Sequence, residues 1–241
     1  MKDREIDAIL NRAAQTPHQV EPALLASLAN SVGASLRPVR PLPPAWTLVG
    51  GLVLICAAVA VAGAARFGLH GVEKMSLLDR GLIFSALGIF VWLAATTQVA
   101  EMIPGSRRRV SPGTLLAAGS LALVAVFAIL FRDYHTHRFV PQGVACLTAG
   151  LLHAIPAALV SWLLLRRGFA VNPVAAGLVA GTLAGLAGVT MLELHCPNFE
   201  ALHVMLWHTA VVPIAGATGA LLAWLRGRQD GAAARAIAMP R

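Results

Sequence analysis

The feature that most constrains this chain is a set of six apolar runs, approximately Trp46–Ala65, Gly81–Ala100, Thr114–Phe131, Val144–Leu165, Val174–Leu192 and Val204–Leu225. A helix needs about 20 such residues to cross the roughly 30 Å hydrocarbon core of a bilayer. Inside lipid, every backbone N–H and C=O must be paired within its own segment or around a closed barrel, and runs of this length are helices. The expected fold class is an all-α membrane protein with six transmembrane helices. Composition closes off the alternative: apolar residues make up 57% of the chain and charged residues 12%. A soluble domain carries about 25% charged residues, so these side chains could not cover a water-soluble globule. No apolar stretch follows directly after the start, and no cleaved signal peptide is expected.

The charges give an orientation. With the N-terminus cytoplasmic, 14 of the 19 Lys and Arg residues fall on the inner side, among them Arg107, Arg108, Arg109, Arg166, Arg167, Arg226 and Arg228. Only Arg66, Lys74, Arg80, Arg132 and Arg138 fall outside. Cytoplasmic loops are enriched in Lys and Arg, so both termini are expected inside. The net charge of +8 therefore belongs to membrane topology, and no nucleic-acid partner is expected.

The chain divides into a cytoplasmic segment 1–45, a transmembrane domain 46–225 and a cytoplasmic tail 226–241. In the first segment, Ile6, Ile9, Leu10 and Ala13 fall at helical spacing. Pro17 interrupts, and a second helix is expected to start near Pro22, a residue favoured in a first turn. Its apolar stripe is Leu24, Leu25, Leu28, Val32 and Leu36. The following Arg37-Pro38-Val39-Arg40-Pro41-Leu42-Pro43-Pro44 is expected to be extended. In the fifth run, Gly177, Gly181, Gly185 and Gly188 form a groove that admits another helix closely, and packing within the chain is preferred to a dimer seam.

Reactive side chains gather toward the outer side. Seven of the eight histidines, all but His18, and two of the three cysteines fall there. Three readings of Cys146 and Cys196 stay open. They are separate loop and helix-end residues, a disulfide formed in an oxidising compartment, or part of a soft-metal site with His195 or His203. Cys56 is a packing residue in an alanine-rich helix. No Walker A, GxSxG or HExxH pattern occurs, so no enzyme and no cofactor are expected. A small six-span transporter or metal-handling protein is the alternative, disfavoured because polar groups do not continue through the midplane. A membrane thiol oxidoreductase is disfavoured because no two cysteines are closely spaced in sequence.

Leu192-Glu193-Leu194-His195-Cys196-Pro197 followed by Leu206-Trp207-His208 resembles the LHCP…W(H/Y) stretch of the NrsF-type membrane anti-sigma factors (negative regulator of sigma F). Arg166-Arg167-Gly168, Asn172-Pro173, the glycine-rich fifth run and the proline-rich run at 37–44 fit the same pattern, over about residues 30–227. The chain departs from the pattern in Asn198 and Phe199, which precede Glu200, and in the extra helix at Asp3–Ala14. The resemblance implies a regulator in the bacterial inner membrane that holds an extracytoplasmic-function sigma factor and releases it under stress. It also implies that Cys146 and Cys196 respond to redox or heavy-metal signals. The sigma factor would take the stripe of Leu24, Leu25, Leu28, Val32 and Leu36 into a groove, with Arg37 and Arg40 pairing acidic surface; the competing reading lays this helix on the bilayer.

Overall fold

A computed structural model describes residues 8, 11, 22–35, 42–106 and 110–238. It divides into two compact units, 1–41 and 42–241. In the first unit, α1 (Pro22–Ser35) starts at the expected proline and leaves Leu24, Leu25, Leu28 and Val32 exposed. Leu36, Arg37, Arg40 and the expected helix at Asp3–Ala14 (apart from Ala8 and Asn11) lie outside the described residues.

The second unit contains helices α2 (Ala45–Phe67), α3 (His70–Lys74), α4 (Leu77–Met102), α5 (Pro112–Leu130), α6 (Phe139–Leu165) and α7 (Pro173–His195). The last segment is α8 (Ala201–His203), a π-turn (Val204–His208) and α9 (Thr209–Ala238). Six helical spans are long and apolar enough to cross a membrane, one at each expected run. The chain is a multi-pass membrane protein, and no strand is present among the described residues.

Local chemistry sets the helix starts. Ser76 Oγ accepts from the Asp79 amide at 3.2 Å, while the Ser76 amide donates to Asp79 Oδ2, a reciprocal cap that satisfies two otherwise orphaned donors of α4. Ser111 caps α5 and Asn172 caps α7, each followed by a proline whose fixed φ and missing N–H suit a first turn.

The fifth span, α7, is the centre of the bundle and is buried on nearly every side. Its composition explains this. Without a hydrophobic drive between helices in lipid, association depends on close packing, which small residues permit. A Cβ at Gly177 would strike the Gly219 carbonyl, one at Gly181 the Ala215 carbonyl, and one at Gly188 the Gly150 carbonyl. The first two contacts are with α9 and the third with α6. The glycine face is thus filled by helices of the same chain.

The loops separate into two sets. At one end, the Phe169 amide donates to Met102 O at 3.0 Å, joining the 166–172 connection to the end of α4. At the other, the Ala201 amide donates to Asp133 O at 2.6 Å, and Gly71 of α3 lies against the Glu193 and Cys196 carbonyls. This second end carries most of the histidines.

Candidate functional site

The end of α7 is fixed by the sequence around Cys196. The Cys196 amide still closes a helical bond to Leu192 O at 2.7 Å, but its backbone is extended and Pro197 cannot continue the helix. The Cys196 side chain therefore turns inward at the helix end and is buried. Cys146, in the third turn of α6, reaches it with Sγ–Sγ of 3.6 Å. Both are free thiols. The hydrogen bond with Cys146, reinforced by burial, pushes the Cys196 thiol above its ordinary pKa.

The last span brings two histidines to the same place. His203 Nε2 lies 3.8 Å from Cys196 Sγ, and the His203 and His208 rings meet edge to face with centroids 5.2 Å apart. In an α-helix, residues five apart differ by about 140° around the axis. The π-turn Val204–His208 widens the spiral, and widened turns of this kind recur at functional sites. His203 and His208 consequently face one group of side chains. One ligand-capable atom from each of Cys146, Cys196, His203 and His208 lies within 4.8 Å of the others.

Behind His208 stands Glu193, one turn before Cys196. His208 Nδ1 donates to Glu193 Oε1 at 2.6 Å, and each side chain is 1% exposed. An acidic side chain buried this deeply is held by its one histidine partner. Glu101, at the end of α4, is likewise buried.

Not every sequence candidate joins the group. His195 lies outside it: its Nδ1 is 3.0 Å from Gly68 O, and its ring sits beside Phe67 and His70. Helical geometry explains the divergence, because consecutive positions at a helix end point in different directions. His208 takes the fourth place. His153 turns to α2, where it fills the space over Gly63 and stacks edge-on against Phe67. His135 pairs with Asp133 at 2.6 Å, and the hydrogen bonds from His135 hold the exposed Asp133 carboxyl below its ordinary pKa. The 131–138 loop is tied to the segment after Pro197 by the His137 amide, which donates to Glu200 Oε1, while Asn198 Nδ2 donates to Gln142 Oε1 at 3.0 Å. Cys56 is buried mid-span, its Sγ 3.9 Å from Leu183 O.

Residues 32–226 match the family described as negative regulator of sigma F, NrsF. The chain belongs to the NrsF family. The match takes in five spans and nearly all of the sixth, the Leu194-His195-Cys196-Pro197 stretch and Cys146, Cys196, His203 and His208, and it begins at residue 32, near the end of α1. Comparison with the curated proteins and with the solved structures gives no match. The family description makes a sigma factor the partner and negative regulation the role, which points to a non-enzymatic protein.

Proposed function

We propose that this NrsF-family protein is an inner-membrane anti-sigma factor. It sequesters an extracytoplasmic-function sigma factor and releases it when a redox or heavy-metal signal reaches Cys146 and Cys196. The family match over residues 32–226 carries the reading. The asymmetry of Lys and Arg supports cytoplasmic termini, with the cysteine end of the bundle on the periplasmic side. The segment 1–45 is the sigma-binding module, 46–225 the membrane domain and 226–241 a cytoplasmic tail. Three large leucines on α1, each about half exposed, support a helix-in-groove contact, extended by Leu36, Arg37 and Arg40. The polar face of α1 contains no Lys or Arg, which favours a protein groove over an anionic membrane surface.

Two thiols in contact can respond to an oxidant by forming a disulfide, or to a thiophilic ion by binding it. Either event changes the packing of α6 against α7. The experiment is affinity purification of the full chain from membranes of a host expressing each of its sigma factors in turn. One sigma factor is expected to co-purify; failure to capture any of them refutes the reading.

A further inference from the structure

We propose that Cys146, Cys196, His203 and His208 form a closed four-ligand site for a divalent cation of the zinc and cadmium class, with Glu193 as its positioning residue. This deepens the sensing reading above, on which its regulatory meaning rests, by naming what the cysteine end binds.

Distances favour a tetrahedron. With metal–sulfur bonds of about 2.3 Å and metal–nitrogen bonds of about 2.0–2.1 Å, a tetrahedral centre separates two sulfurs by about 3.8 Å and a sulfur and a nitrogen by about 3.6 Å. The Cys146 and Cys196 sulfurs are 3.6 Å apart, and Cys196 Sγ is 3.8 Å from His203 Nε2. The second observation is independent. Glu193 accepts a hydrogen bond from His208 Nδ1–H, which leaves the Nε2 lone pair available, and that buried Nε2 makes no hydrogen bond of ordinary geometry. A carboxylate behind a histidine is the usual outer support of a ligating imidazole, fixing its tautomer and ring orientation.

The donor set selects the ion. Two sulfurs and two imidazoles suit zinc and its softer relatives, whereas magnesium and calcium require oxygen ligands. On binding, each thiol gives up its proton to solvent and the two thiolates balance the charge of the cation. Four protein ligands leave no open position, so the centre is structural or sensory. A pocket of about 210 Å³ lined by Phe67, Ala145, Cys146, Ala149, Leu192 and His195 borders Cys146, the one ligand that is not fully buried, and offers the route in.

The test uses the full chain purified in detergent under reducing conditions, stripped with a chelator and titrated with Zn²⁺ and Co²⁺. One ion per chain is expected, with Co²⁺ giving the intense tetrahedral visible bands and a thiolate charge-transfer band. Glu193→Gln should weaken Zn²⁺ binding about 10–100-fold without changing its stoichiometry, with Glu193→Asp recovering part of the loss. Metal-free melting of the same variants separates this from a loss of fold. Binding well below one ion per chain, a Co²⁺ spectrum without the charge-transfer band, or a folded His208→Ala variant that holds Zn²⁺ as tightly as the parent overturns the proposal. If His208→Ala does not fold, Cys146→Ser at the less buried ligand decides: affinity within tenfold of the parent overturns it. Capture of a sigma factor by the metal-free chain is scored separately, so loss of capture counts against the anti-sigma reading and loss of Zn²⁺ binding against this one.

Discussion

Gly185→Ala adds one methyl group where α7 and α9 are in close backbone contact. That carbon would lie 2.8 Å from Val212 Cα, 3.0 Å from Val211 O and 3.2 Å from Ala215 Cβ. Comfortable carbon–carbon contact begins at about 3.5–4.0 Å, so the shortfall against Val212 is about 0.7–1.2 Å. The first two obstacles are backbone atoms of a helix and cannot rotate away; relief requires the two helices to separate. A gap of about 0.5–1 Å already forfeits a quarter to a half of the dispersion energy of each contact along the seam, and lipid supplies no hydrophobic drive to restore it. The expected cost is about 1–3 kcal/mol. Gly88→Ala is the control, because Gly88 is exposed within α4 and nothing lies within 4 Å of its added carbon. There alanine gains up to about 1 kcal/mol of helix propensity. Unfolding of the purified full chain in one detergent, followed by circular dichroism against temperature, should lower the midpoint for Gly185→Ala and leave it unchanged or raised for Gly88→Ala. Equal midpoints for the two variants would refute the argument that close backbone approach holds α7 in place.

Other consequences are equally direct. In a reporter strain for the released sigma factor, Cys146→Ser, Cys196→Ser and the double variant should all lose induction to the same extent; normal induction in all three would mean that the signal enters elsewhere. Burying the exposed half of a leucine contributes about 1 kcal/mol, so Leu24→Ser with Leu28→Ser should weaken sigma-factor capture by about 2 kcal/mol, roughly 30-fold, while the melting midpoint of the membrane domain stays put. Unchanged capture would remove α1 from the interface. A membrane-permeant maleimide should label Cys146 first, with Cys56 and Cys196 protected by burial; mass spectrometry of the peptides reads the order, and faster labelling of Cys196 would contradict the packing at the end of α7.

The six spans were readable because lipid leaves so few options: an apolar run of the right length must be a helix, although the caps at Ser76 and Ser111 start two of them ahead of the expected Gly81 and Thr114. The glycine spacing in the fifth run likewise announced a close helix contact. The buried cluster was readable only in part. Cys146 and Cys196 are fifty positions apart in sequence, yet their sulfurs are in contact, so the absence of a closely spaced pair says nothing about distance in the fold. His208 was missed because regular helical spacing turns it away from His203, and only the π-turn brings it round. Glu193 was given no role from sequence because its partner lies fifteen positions downstream, in the last helical segment. An acidic residue at the edge of an apolar run, with a histidine at the start of the next, is the one signal that could have suggested the pair.

The central place of α7 also sets an order of events during synthesis. The helix around which the bundle is arranged is the fifth of six to be made. At about 5–20 residues per second, the ribosome needs on the order of ten seconds or more between the start of α2 and the end of α7. As each of the first four spans enters the bilayer during that interval, it lacks the surface it finally packs against. Leu52, Leu87 and Phe127, fully buried in the finished protein, then face lipid or one another in provisional arrangements. Assembly is therefore a late, concerted gathering around α7, and a chain released before residue 173 leaves four helices with no common partner, a natural substrate for membrane proteases.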